Sequence, residues 1–208
     1  RYLNQKLFPT SPTTNLTRES VSIKQFNLQL LQLSKTGSLK NIEEHINTRL
    51  VTPNLHTYSI LMNYYNYANQ HSKTREIWDF LITKSVPFVK LQPHYAILLD
   101  SIKFNSTYNE LETIWQKFQS KPLSSNNYLS YLEGLIFFKQ SQKAIQVYEN
   151  EILKNKKCLP IPAMKQLIEV ELRKLGRISD IKELSKKFED CKSSWHKLNI
   201  LRNNIKKY

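Results

Sequence analysis

Apolar side chains recur along this chain at the spacing of helices that bury one face. The spacing i, i+3, i+4 and i+7 places side chains on one side of a helix. It occurs in two separate stretches, at Tyr58, Leu61, Met62 and Tyr65 and again at Tyr128, Tyr131, Leu132 and Leu135. After each stretch a polar break, at residues 69–72 and 139–141, precedes a second apolar stripe. The pattern predicts helical hairpins, each made of two helices joined by a short turn.

Aromatic positions indicate that these hairpins repeat. In three places an aromatic residue is followed twenty residues later by a second one, in the pairs Tyr58 and Trp78, Tyr95 and Trp115, and Tyr128 and Tyr148. Weaker copies of the same spacing are Phe26 with Ile46 and Met164 with Leu184. Five units follow, starting near residues 23, 55, 92, 125 and 161, a period typical of helical repeats. We expect the six strong aromatic residues to be core packing.

The repeat predicts the fold class. One short hairpin cannot bury both of its stripes, so neighbouring hairpins must share a core. We therefore predict an all-α, right-handed α-solenoid of about five helical hairpins over residues 21–192, after an N-terminal extension (1–20) and before a basic capping helix (193–208). Prolines are expected between helices and not inside them, because proline lacks the backbone N–H. They are Pro53, Pro87, Pro93, Pro122, Pro160 and Pro162.

The charge balance indicates a polyanionic partner. Lys and Arg number 31 against 17 Asp and Glu, a net charge of +14. Residues 154–208 alone hold 15 basic and 6 acidic residues. Nucleic acid is the first candidate for such a surface, ahead of membranes and acidic proteins.

Several stretches resemble the pentatricopeptide repeat family, whose hairpins are related to tetratricopeptide repeats. Residues 53–61 are similar to the junction of two such repeats, where a proline closes one unit and a Thr-Tyr opens the next. Residues 26–37 resemble the family's first helix and its Lys-Ala-Gly turn, and the resemblance covers residues 20 to about 190. It implies a degenerate fungal type located in the mitochondrial matrix, which acts on single-stranded RNA or rRNA in organellar RNA maturation, translation or ribosome assembly. Residues 1–18 lack acidic side chains, which suits the neighbourhood of a transit-peptide cleavage site.

The resemblance also implies which side chains read bases. In the family a base is chosen by the residue after the opening aromatic together with the last residue of the unit. Here Asn27 with Asn54 resembles a pyrimidine-preferring pair, and Ser59 resembles a purine chooser. The equivalent Ala96 and Leu129 cannot hydrogen-bond through their side chains. Alternatively, Asn27 and Ser59 are helix-start residues that cap backbone N–H groups.

Further candidates are one possible stacking residue and a set of cations. His56 could stack beneath a base at the edge of the groove. Eight basic residues could neutralise phosphates, although a solvated surface role is the alternative for each. They are Lys24, Lys35, Arg173, Lys174, Arg177, Lys182, Lys186 and Lys187.

Nothing in the sequence predicts catalysis, a cofactor or a metal site. The acidic pairs Glu43-Glu44 and Glu110 with Glu112 are interpreted as solvated charge, and the two cysteines as reduced thiols. No apolar run is long enough to span a bilayer. The main alternative to RNA binding is a helical-repeat scaffold, such as a mitoribosome-associated subunit or assembly factor, that docks a protein partner. The apolar Ala96 and Leu129 favour that alternative.

Overall fold

The computed structural model describes residues 22–48 and 51–205, and this part of the chain is helical with no strand. The prediction of an all-α fold is therefore confirmed there. The helices are α1 (Ile23–Thr36), α2 (Leu39–Thr48), α3 (Leu55–Tyr67), α4 (His71–Thr83), α5 (Phe88–Asn105), α6 (Tyr108–Phe118), α7 (Ser125–Phe137), α8 (Ser141–Val147), α9 (Pro162–Lys174) and α10 (Ile178–Ile205). Helix α8 continues into a π-helical segment, Tyr148–Lys154.

The chain divides into two compact units at the end of α4, between residues 81 and 82. In the first unit α1 packs against both α2 and α3. In the second unit the most extensive contact joins α5 to α7, the first helices of two successive hairpins. Helix α10 packs on α9 and on the π-helical segment.

Four first helices begin within one residue of the predicted unit starts, but α5 begins at Phe88 and runs through Pro93. The expectation that prolines lie between helices was wrong for Pro162, the first residue of α9, where the missing N–H costs no hydrogen bond, and for Pro93 inside α5. The missing N–H of Pro93 removes the usual hydrogen bond to the carbonyl of Val89. Val89 is exposed, so water can hydrogen-bond to its carbonyl. Downstream, the carbonyl of Gln92 accepts a bond from Asn127 Nδ2 at 2.7 Å, which holds this part of the helix against α7.

The last helix is also longer than expected. Residues 178–205 form one helix, so a separate capping helix starting at residue 193 is not present; residues 206–208 lie outside the described part. No proline or glycine interrupts residues 178–205. Leu184, Phe188 and Cys191 are buried at i, i+4 and i+7 and hold the helix against its neighbours.

The repeating aromatic residues form the core. All six are buried, as predicted. Trp115 stacks flat on Tyr131 with ring centroids 3.8 Å apart, and Tyr128 meets it edge-on at 5.1 Å. Tyr95 packs against Phe118 at 5.1 Å. Trp115 belongs to α6, whereas Tyr128 and Tyr131 belong to α7. The contacts of Trp115 therefore join consecutive hairpins.

Three hairpins close their first helix with the same turn. In each, the residue after the C-cap has a left-handed conformation: Asn69 (φ 56°), Lys139 (φ 59°) and Gly176 (φ 71°). The residue after that donates its N–H to a carbonyl five positions back, as in Gln140 to Leu135 at 2.8 Å. The bonds from Gln70 to Tyr65 and from Arg177 to Leu172 are equivalent. This is the Schellman C-cap, which satisfies helix carbonyls that would otherwise lack partners.

Salt bridges connect equivalent helices of neighbouring hairpins. Each joins residues about one repeat apart, and they are Glu43 with Lys73 (3.0 Å), Glu133 with Lys103 (2.8 Å) and Glu112 with Lys143. Burial disfavours the Lys103 ammonium, but hydrogen bonds and attraction from Glu133 and Asp100 outweigh it and raise its pKa. The side chain therefore stays charged and holds α5 beside α7.

The shared turn makes opposite predictions for two substitutions. A residue with a side chain is strained in the left-handed backbone conformation that Lys139 adopts, and glycine is not. Lys139→Gly should therefore stabilise the fold by roughly 0.5–1 kcal/mol. Gly176→Ala should destabilise it by about 1 kcal/mol from backbone strain alone, since a Cβ there meets no atom within 4 Å. Urea denaturation of both variants measures the two effects. A destabilising Lys139→Gly would contradict the turn geometry.

Candidate nucleic-acid interface

The predicted base readers Asn27 and Asn54 meet, but within a structural network. Asn27 is the fifth residue of α1 and is only 6% exposed. Its Nδ2 donates to Asn54 Oδ1 at 3.2 Å, and its Oδ1 accepts from the Thr57 hydroxyl at 2.7 Å. Asn54 is the N-cap of α3, where it forms a capping box with Thr57. The capping alternative proposed for Asn27 and Ser59 was wrong, because Ser22 and Asn54 are the N-caps of α1 and α3. Asn27 instead joins α1 to the start of α3.

The second unit contains the same kind of junction. Ser124 and Asn127 form the capping box of α7, and Asn127 holds the third helical position, as Thr57 does in α3. Asn127 donates to the carbonyl of Gln92, the fifth residue of α5. In both units, therefore, the third residue of a first helix bonds back to the fifth residue of the preceding first helix. This contact fixes the register of adjacent repeats.

Ser59 and His56 lie on the more accessible side of α3. Ser59 is partly exposed, and its hydroxyl donates to the carbonyl of Leu55 at 3.2 Å. Such a bond to the preceding turn is common for serine inside helices. His56 is exposed at the second position of the helix. Both side chains remain accessible to a ligand.

The equivalent face of the second unit is not suited to anions. Ala96 and Leu129 are partly exposed there, on α5 and α7. Beside them Lys103 bridges Asp100 at 2.9 Å and Glu133 at 2.8 Å. These three charges sum to −1, so a phosphate would be repelled from this part of the surface.

The predicted phosphate-binding cations fall into two groups. Lys24, Lys35, Arg173, Lys182 and Lys186 are exposed and form no ion pair within the described residues. Three others are paired on their own helix or turn: Lys174 with Glu171, Arg177 with Asp180 (2.7 Å) and Lys187 with Glu183 (2.7 Å). The first group offers free charge, whereas the second must be released from a carboxylate.

Sequence reasoning missed other accessible cations. Lys154 and Lys156 are exposed where the π-helical segment ends, and neither forms an ion pair in the part of the chain described. The run Lys154-Asn-Lys156-Lys157 was a visible signal for both. Lys182 of α10, one of the expected cations, is exposed in the same way, four residues before Lys186 and so on the same face.

Exposed aromatic side chains were also missed. Tyr67, Phe104 and Phe137 are 85%, 65% and 52% exposed, each at or near the end of a first helix. Each lies nine residues after the opening aromatic of its repeat. The repeat register could have revealed this shared position.

The carboxylates and thiols serve the packing. Glu112, which was expected to be solvated, is only 14% exposed; it accepts from Tyr131 at 2.6 Å and pairs with Lys143. That expectation was wrong, because the side chain ties α6 to α7 and α8. Both cysteines are free and buried, and burial raises the pKa of Cys158 to about 12. The described residues contain no cluster of His, Cys, Asp or Glu able to hold a metal ion, and none of their helices has the length and apolarity to cross a membrane.

No protein-family model matches the chain, and no curated protein sequence matches it. The resemblance to pentatricopeptide repeats therefore rests on the chain's own residues.

The Asn27 network predicts a stability effect. Asn27→Ala removes the shorter acceptor of the fully buried Thr57 hydroxyl and should cost about 1–3 kcal/mol of unfolding free energy. Ser59→Ala is the matched control and should change it by less than about 0.5 kcal/mol, because its site is accessible to water. Urea denaturation measures both. An Asn27→Ala variant as stable as the wild type, with altered base preference, would instead assign this residue to base reading.

Proposed function

We propose that this protein binds single-stranded RNA and does so without catalysing a reaction. The observation that carries the proposal is the set of exposed cations on α9 and α10 that form no ion pair with a carboxylate of the described residues. Arg173, Lys182 and Lys186 belong to this set. Cations of this kind bind phosphates by releasing condensed counterions.

The distribution of carboxylates supports a polyanionic ligand. Glu43, Glu112 and Glu133 each pair with a lysine of a neighbouring hairpin. Glu171 is buried, yet its bonds to Lys174 and Ser141 outweigh the cost of burial and lower its pKa. These acids compensate charge within the fold. Arg173, Lys182 and Lys186 are not paired with them and are available to an external anion.

We propose further that the hairpins form one right-handed α-solenoid of the pentatricopeptide type. The recurring Schellman turn, the back-bonded capping boxes and the one-repeat spacing of the salt bridges support a repeat. A mitochondrial setting, with a role in RNA maturation, translation or ribosome assembly, is the part of the proposal supported by the family resemblance.

A protein scaffold is the second candidate. The observation that favours it is the surface around Ala96 and Leu129, which is apolar and beside the negative Asp100–Lys103–Glu133 cluster. Such a face suits a mitoribosomal or other protein better than a phosphate backbone. A scaffold of this kind would need its protein partner before it held RNA.

RNA binding by the isolated chain should depend strongly on salt. The slope of log K against log[salt] is roughly −0.7 for each phosphate neutralised on a single strand. Neutralising Arg173, Lys182 and Lys186 to Gln should make the slope shallower by about 2 if each contacts one phosphate. Fluorescence anisotropy with a short unstructured RNA, titrated at several salt concentrations, measures this.

A second triple variant controls for net charge. Lys40, Lys90 and Lys121 are exposed and lie on α2, on α5 and before α7. Changing these three to Gln alters the net charge equally but should change the slope by less. If both triple variants changed the salt slope equally, the RNA would not bind preferentially at the cations of α9 and α10. Wild-type protein that shows no binding at micromolar RNA would favour the scaffold.

A further inference from the structure

The exposed aromatic residues share one position of the repeat. Nine residues after the opening residues Phe26, Tyr58, Tyr95, Tyr128 and Met164 lie Lys35, Tyr67, Phe104, Phe137 and Arg173. All five of these side chains are exposed. The three inner repeats thus carry an aromatic ring where the two outer repeats carry a cation that forms no ion pair in the described residues.

In the second unit two of these rings meet. The ring centroids of Phe104 and Phe137 are 5.8 Å apart with planes at 66°, although more than half of each side chain remains exposed. Phe137 also meets Phe138 edge-on at 5.3 Å. These contacts restrict the rings while leaving apolar surface in water. A single exposed phenylalanine is ordinary, but the same repeat position exposed in three hairpins calls for a ligand.

The surrounding charges indicate where the backbone of a nucleic acid would run. Asp100, Lys103 and Glu133 together carry a charge of −1 on the side toward the start of α5 and α7, and Lys103 Nζ lies 5.9 Å from the centroid of the Phe104 ring. Toward the hairpin turns lie the exposed Lys139, two residues after Phe137, and Arg173 near the end of α9. Phosphates are therefore favoured on the turn side of the rings. An acidic protein segment could bind the same cations. Exposed aromatic rings beside cations are, however, typical of proteins that bind single-stranded nucleic acid, because the bases of the strand stack on the rings.

We propose that Phe104 and Phe137 form a stacking platform for unpaired bases of single-stranded RNA, with Lys139 and Arg173 holding the adjoining phosphates. This inference rests on the proposed RNA binding and adds the place and the mode of base contact. Stacking is tolerant of sequence, because every base has a π face. The platform therefore supplies affinity at the very repeats whose Ala96 and Leu129 cannot hydrogen-bond a base.

Leucine substitutions separate stacking from general hydrophobic contact. Phe104→Leu and Phe137→Leu keep an apolar side chain of similar size but remove the aromatic face. Each should weaken binding of a short unstructured RNA by roughly fivefold to tenfold. The salt slope should stay unchanged, because no phosphate contact is lost. Val89→Ala, at an exposed apolar residue near the other end of α5, is the matched control and should leave the affinity unchanged.

An abasic oligonucleotide provides the deciding comparison. Wild type and the Phe104→Leu, Phe137→Leu double variant should bind an abasic ribose–phosphate strand equally, since the bases are absent. An equal loss on both strands would show that the rings do not stack on bases, and would overturn the platform. Salt-dependent wild-type binding that both substitutions leave intact would also overturn it while retaining the proposed function. A wild-type protein that binds no RNA would overturn both the stacking platform and the proposed RNA binding.

Discussion

The left-handed turn at the end of the first helix is the constraint on which three of these hairpins depend. A residue at φ 56° to 71° ends the first helix and lets the next N–H reach a carbonyl five positions back. The chain then reverses within a few residues, and the second helix returns along the first. Because this turn lies at the edge of the hairpin, side chains just before it, such as Tyr67, Phe137 and Arg173, extend toward solvent. The same backbone geometry thus closes these hairpins and presents Phe137 and Arg173 to solvent. Phe104 precedes a different turn, since the C-cap of α5, Ser106, is extended.

Adjacent repeats are held by a second recurring contact. The third residue of one first helix, Thr57 or Asn127, bonds back to the fifth residue of the preceding first helix. Salt bridges one repeat apart add to this, and they engage carboxylates that would otherwise offset the surface cations. Three carboxylates are thus engaged between hairpins, whereas Glu189 and Asp190 of α10 are exposed and form no ion pair in the described residues.

Periodicity in the sequence predicted the helices and the buried aromatic residues because both follow from local spacing. The helix through Pro93 was not predictable in that way, because the packing of α5 on α7 outweighed the local signal of the proline. The continuation of α10 past residue 193 does follow from local spacing, since Leu184, Phe188 and Cys191 keep the helical period and no proline or glycine interrupts it. Lys139 has no sequence signature for a left-handed conformation, since glycine is the usual residue.

The candidate site was harder to predict than the fold. Asn27 has the chemistry of a base reader, but whether an amide faces a ligand or a buried hydroxyl depends on tertiary contacts that the sequence does not display. Phe104 and Phe137 were, in contrast, accessible to prediction. Their shared offset from the opening aromatic residue is a feature of the sequence, and only their exposure required the structure.

The central claim is that the hairpin turns and the adjoining cations contact RNA. Photochemical crosslinking of a 4-thiouridine RNA to the full chain, followed by mass spectrometry of the crosslinked peptides, tests it most directly. The account predicts crosslinked residues, located by fragmentation of the peptides, at or beside Phe104, Phe137 and Arg173. Crosslinked residues confined to the neighbourhood of Ala96 and Leu129, or none in a protein that holds RNA only with a protein partner, would contradict it.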